Sequence, residues 1–178
     1  MKFLAICFSG RIGSGKSTLT ARMSEMLGWP RASFGDYVRS VAISRNSNVD
    51  SRLVLANLGG QLIDELGWNE FCARVLSSAG WVSPGNILID GIRHVEAICT
   101  LRRLCLPASL FHIHIDLSDE MAKTRQIGKG VLELSGGERH STEIQVRTSL
   151  AEIADLKLPA TIMLEEQVRQ VSDFLKAL

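Results

Sequence analysis

No strong charge of either sign marks this chain: 20 Lys and Arg stand against 19 Asp and Glu, a formal net charge of +1. Such a balance gives no long-range field to draw nucleic acid or an anionic membrane, so small molecules are the expected partners. No apolar run approaches the ~20 residues of a membrane span. Nor do basic residues interleave with aromatics in the stripe that a polynucleotide substrate needs. The cysteines, Cys7, Cys72, Cys99 and Cys105, form no C-x-x-C pair and fall in apolar or helical settings. That usage argues against a metal site built on them and reads as reduced, buried thiols in a cytoplasmic protein. Repeats, low-complexity tracts and linkers are absent too, and residues 1–178 read as one domain with room for a sizeable core. Trp29, Trp68 and Trp81 are scattered, as helix-packing residues are.

What is present begins near the N-terminus. Gly10-Arg11-Ile12-Gly13-Ser14-Gly15-Lys16-Ser17 spells G-x-x-x-x-G-K-S between an apolar run, residues 3–8, and a helix-like stretch. Strand, loop, Lys-Ser and helix in this order predict a phosphate-binding loop and a nucleoside triphosphate ligand, ATP first among them. Glycines let successive N–H groups and the helix N-terminus close on anionic oxygens. Lys16 would place its charge on the β and γ phosphates, Ser17 would complete the coordination of Mg²⁺, and Thr18 would add a contact. Because the apolar run flows directly into the loop, removing it as a leader would destroy the site.

Further strands are expected at 86–90, 110–116 and 161–164, with helical periodicity at 16–27, 36–44, 51–66, 69–79, 94–105, 118–127, 141–155 and 165–177. The alternation predicts an α/β protein: a parallel sheet with helices on both faces and ligands at the carboxyl ends of the strands. Residues 34–80 form a helical insertion without a clear strand. Residues 128–140, glycine-rich and mixed in charge, have the composition of a mobile flap.

Three constellations carry chemistry. Asp90 ends a strand beside the phosphate loop, where an acid would hold Mg²⁺ through water; the plainer reading is a cap for the next helix, and Arg93 would enter the same cleft. Asp36 and Arg39, three apart on a helix, share a face suited to an acceptor's hydroxyl and phosphate, or to solvent alone. Arg125, Lys129, Arg139 and Arg147 surround the flap and could bring positive charge to a moving phosphoryl group.

Other patterns are declined. Leu134-Ser135-Gly136-Gly137-Glu138 resembles an ABC-type signature but follows the acidic strand rather than preceding it. Asp64-Glu65-Leu66-Gly67 imitates a GTPase D-x-x-G inside a helical pattern, and no N-K-x-D follows. His112 and His114 share one strand face and read as satisfied polar groups, not ligands.

With these residues in view, the chain resembles the P-loop small-molecule kinases of the adenylate kinase group. Leu88-Ile89-Asp90-Gly91-Ile92-Arg93 looks like the strand end of nucleoside monophosphate kinases. Ser33-Phe34-Gly35-Asp36 and Leu58-Gly59-Gly60-Gln61 are similar to acceptor-side segments of deoxynucleoside monophosphate kinases. Arg139-His140-Ser141-Thr142-Glu143 resembles that branch and the dephospho-coenzyme A kinases. The resemblance implies a three-layer P-loop NTPase fold with an acceptor-binding region at 34–80 and a lid at 122–140. It further implies transfer of the γ-phosphoryl of Mg·ATP to a (deoxy)nucleoside monophosphate. Asp36, Arg39, Arg93 and Gln61 would hold the acceptor, Arg125 and Arg139 would clamp the phosphoryl group, and a homodimer is compatible. Transfer to a hydroxyl, as in dephospho-coenzyme A kinases, is the alternative within the class; an ATP-binding or ATP-hydrolysing regulatory module is the rival outside it.

Overall fold

Ala5 and Cys7 of the first strand enter one hydrophobic cluster while Ile6 and Phe8 enter another, and all four are fully buried. Two covered faces explain why this strand is apolar from Leu4 to Phe8 instead of alternating with polar residues. The computed structural model describes residues 2–127, 146 and 148–178. Within them β1 (Leu4–Gly10), β2 (Arg31–Ser33), β3 (Ile87–Ile92), β4 (Ser109–Asp116) and β5 (Leu156–Pro159) form one parallel sheet in the order β2-β3-β1-β4-β5. β1 is central, with β3 on one side and β4 on the other. Strand order therefore reverses beside β1, and the crevice for a ligand opens at the carboxyl end where Gly10 begins the loop.

The first cluster lies under α2 (Phe34–Ser44), α3 (Arg52–Ser78) and α4 (Val95–Leu104), joined by Val146 and by Leu150 of α6 (Ser149–Glu152). The second lies under α1 (Lys16–Leu27), α5 (Asp119–Ile127) and α7 (Leu164–Lys176), which contribute Leu19, Met23, Ala122 and Val171. Each fully buried side chain such as Phe8 or Leu19 contributes roughly 2 kcal/mol by leaving water. Ser33 caps α2 by accepting from the Asp36 N–H at 3.1 Å, and α3 is broken at Gly67, where φ is 69° and ψ is 164°. That break separates the two helical stretches expected at 51–66 and 69–79. Asp64 and Glu65 lie in its first half, which bears out the refusal to read a GTPase motif there.

Two expectations need correction. The last strand is Leu156–Pro159, not 161–164: Leu156 and Leu158 pair with Ile113 and Ile115 of β4, whereas residues 161–163 turn into α7. A four-residue edge strand ending in proline carries too little alternation to separate it from the preceding helical pattern. β2, only three residues long, was not expected at all. A smaller difference concerns the thiols: Cys7, Cys72 and Cys105 are buried, but Cys99 is exposed on the outer side of α4. Trp68 and Trp81 pack against the first cluster and Trp29 against the second, as expected. Among the described residues no helix is long and apolar enough to cross a membrane.

Candidate active site

The phosphate loop owes its path to glycine at its first position. Gly10 has φ of 149°, and a Cβ there would stand 2.7 Å from the Ile115 carbonyl oxygen and 2.9 Å from Ser14 Oγ. No side chain fits without moving the backbone of β4. The loop closes on itself through Ser14 N–H donating to the Arg11 carbonyl at 3.1 Å, and α1 begins behind left-handed Gly15 with no side-chain cap and no acid in its first turn. The positive dipole end of α1 thus has no side-chain cap or acid against it, an arrangement that suits an anion. Gly13, Gly15, Lys16, Ser17 and Thr18 line a hollow of about 130 Å³, with Lys16 only 9% exposed. Ser17 and Thr18 are exposed at its rim, and Ile12 is half-buried in the loop.

Asp90 lies on β3, the strand beside β1, where the sheet is irregular. β1 and β3 pair Phe8 with Asp90 but Ser9 with Ile92, so Gly91, at φ 90°, is a bulge. A bulge re-aims the neighbouring side chain, and only glycine adopts that φ without strain. Asp90 is 2% exposed; its Oδ2 accepts from Arg31 Nη2 at 2.7 Å, while its Oδ1 is buried with no partner among the described residues. A buried carboxylate oxygen without a donor is costly, and a metal-bound water would satisfy it. Ser17 and Asp90 carry hard oxygen donors of the kind that would suit Mg²⁺, with its remaining ligands to come from phosphate and water. Among the described residues no cluster of His, Cys, Asp and Glu offers a cage for any other metal.

Arg31 is the residue that sequence reasoning missed. From the short β2 its guanidinium donates to Thr20 Oγ1 on α1 at 2.9 Å, to Asp36 Oδ2 on α2 at 3.2 Å and to Asp90 Oδ2 on β3 at 2.7 Å. The signal was present in its place five residues before Asp36, but only the pairing of β2 with β3, Ser33 beside Asp90, reveals the convergence.

The other expected site residues are placed as follows. Asp36 is exposed at the start of α2 and bound to Arg31, whereas Arg39, on the same helix, donates Nη1 to the Val49 carbonyl at 3.1 Å. Arg93 is half-buried just beyond β3, and Gln61 is exposed on α3. Arg11 turns to the second side of the loop, in an ion pair with Asp119 that ties the loop to the start of α5. Arg125 belongs to α5; Lys129, Arg139, Arg147, most of the expected lid and the Leu134–Glu138 segment lie outside the described residues.

Beneath the loop, Ser9 Oγ lies 2.7 Å from His112 Nε2 and 2.7 Å from His114 Nδ1, with all three residues buried. The hydroxyl can accept from both rings, or accept from one and donate to the other, according to the tautomer of each imidazole. Burial and the neighbouring His114 lower the His112 pKa to about 4, and burial lowers that of His114, so both are neutral near pH 7. Ser9 satisfies His112 Nε2 and His114 Nδ1, as their shared strand face led us to expect, but His112 Nδ1 is buried without a hydrogen-bond partner among the described residues. His114 also lines, with Arg11, Asp116, Leu117, Ser118 and Asp119, a cavity of about 320 Å³ next to the loop.

No protein-family model and no curated protein matches the chain. Solved structures do. Shikimate kinase from Aquifex aeolicus aligns with 97% of this chain and 96% of its own at 18% identity and a TM-score of 0.61. Shikimate kinase from Acinetobacter baumannii, solved with shikimate, aligns over 98% and 94% at 12% identity and 0.61. A gluconokinase from Sinorhizobium meliloti aligns over 95% and 90% at 15% identity and 0.59. A five-stranded parallel sheet wrapped by helices, with the phosphate loop at its central strand, gives this chain the fold of the P-loop small-molecule kinases.

Proposed function

We propose that this protein is a phosphotransferase that moves the γ-phosphoryl group of Mg·ATP to a small acceptor, a (deoxy)nucleoside monophosphate. The observation that carries the reading is the unpartnered buried Oδ1 of Asp90 at the carboxyl end of β3, one strand away from an uncapped phosphate loop. Lys16 and the first-turn N–H groups of α1 would hold the donor phosphates; bound Mg²⁺ would neutralise charge that develops on them. Arg125 and Arg139 remain the proposed clamps for the transferring group.

An acceptor phosphate supports this choice over a hydroxyl for a chemical reason. It is already a nucleophile and needs positioning, which Arg39 and Arg93 on the acceptor side would supply. A hydroxyl needs a general base, yet Asp36 and Asp90 both bind the Arg31 guanidinium, and a proton on either would weaken that bond. The shikimate kinase and gluconokinase likeness keeps the hydroxyl reading as the second one, since those proteins share the fold.

Incubation with Mg·ATP and a panel of nucleoside and deoxynucleoside monophosphates, with dephospho-coenzyme A, shikimate and gluconate included, tests the reading by ADP release. Release that needs a monophosphate supports it. Release that needs a hydroxyl acceptor instead, or none at all, rejects the acceptor class or the transfer.

A further inference from the structure

We propose that Arg31 is a positioning residue that fixes the metal-facing oxygen of Asp90 and links it to the acceptor helix. The inference deepens the phosphotransferase reading and rests on it.

The geometry is a three-way division of one guanidinium. Nε, Nη1 and Nη2 each serve a different element: α1 through Thr20, α2 through Asp36, β3 through Asp90. A planar fork with fixed donor directions holds such an arrangement, whereas an ammonium on a flexible stem does not. Thr20 extends the chain, because its hydroxyl donates to the Ser17 carbonyl at 3.1 Å. Ser17 and Asp90, the two residues suited to Mg²⁺, are therefore joined through Thr20 and Arg31.

Two consequences follow for Asp90. Arg31 occupies Oδ2, so Oδ1 alone remains for a metal-bound water, and the carboxylate is held against rotation. The charges of Arg31, Asp36 and Asp90 leave one negative charge uncompensated, so the cluster still attracts a cation. Asp36 enters the same network from the acceptor side at 70% exposure, where a bound acceptor reaches it. Occupation of the acceptor side and of the metal side then act on one guanidinium.

Calorimetric titration of ATP with and without Mg²⁺, on wild type, R31Q, R31K and D36N, tests this without reliance on turnover. In the wild type Mg²⁺ is expected to strengthen ATP binding. R31Q is expected to lose about tenfold of that strengthening, the scale on which partners of metal ligands act, while its Mg²⁺-free ATP affinity stays unchanged. R31K recovers part of the loss, D36N loses less than R31Q, and the R31Q/D36N double variant loses no more than R31Q alone. A folded R31Q that keeps the full Mg²⁺ effect, or that weakens both titrations equally, overturns the proposal. Should R31Q fail to fold, D36N decides: its surface position spares the fold, and an unchanged Mg²⁺ effect overturns the link. Wild type that binds ATP indifferently to Mg²⁺ also overturns it and leaves nucleotide binding standing. Wild type that binds no ATP overturns the functional reading and this inference with it.

Discussion

Gly91 shows how one residue sets the site. At φ 90° it forms the bulge of β3 directly after Asp90, and a Cβ would meet only ordinary contacts, the nearest Phe34 Cβ at 3.6 Å. The cost of Gly91→Ala is therefore backbone strain rather than collision. We expect a loss of about 1–2 kcal/mol, read as a lower denaturation midpoint, together with weaker Mg²⁺-linked ATP binding because the carboxylate is re-aimed. Lys16→Ala removes a buried cation of the loop, and its turnover should fall by at least about a hundredfold while circular dichroism still reports a folded protein. Cysteine reactivity divides the same way. Burial raises the thiol pKa of Cys72 and Cys105 to about 12 and that of Cys7 further, while Cys99 is exposed. A thiol reagent should label Cys99 in the native protein and the remaining cysteines only after denaturation, as intact mass would show.

At the scale of elements, the junction of β1 and β4 makes stability depend on pH. His112 and His114 have depressed pKa values in the fold, His112 falling from 6.5 to about 4, so between those values the unfolded chain binds protons that the folded one does not. Stability from this pair is full above pH 6.5, falls as the pH drops toward 4 and levels off below. Melting curves across that window should show a shallower dependence for His112→Asn than for the wild type. The start of α2 offers a second case: Ser33→Ala removes the hydroxyl that accepts from Asp36 N–H, at a cost of about 1 kcal/mol. Because Asp36 binds Arg31 from that first turn, the same variant should weaken acceptor binding more than ATP binding.

Across the whole molecule, what was legible in the sequence was whatever a local pattern encodes. The phosphate loop, β1, β3, β4 and α1 were readable because their hydrophobic runs and glycine spacing belong to single segments of chain. β2 and Arg31 were not, since three residues carry no period and the meaning of Arg31 lies in pairing with a strand more than fifty residues away. β5 was misplaced for the related reason that an edge strand needs few apolar residues. His112 and His114 were legible as polar groups on one face, but their partner Ser9 could be found only once β1 lay beside β4. The fold thus brings β3 and the starts of α1 and α2 together through contacts between distant segments.

The most direct test of the account follows the γ-phosphoryl group itself. Purified protein is incubated with Mg²⁺ and ATP labelled at the γ-phosphate, with and without each monophosphate, and the labelled products are separated. The account predicts label on a nucleoside diphosphate formed from the added acceptor, dependent on Lys16 and on Mg²⁺. Label recovered only as inorganic phosphate at a rate indifferent to every acceptor would contradict it and make the protein an ATP-hydrolysing module.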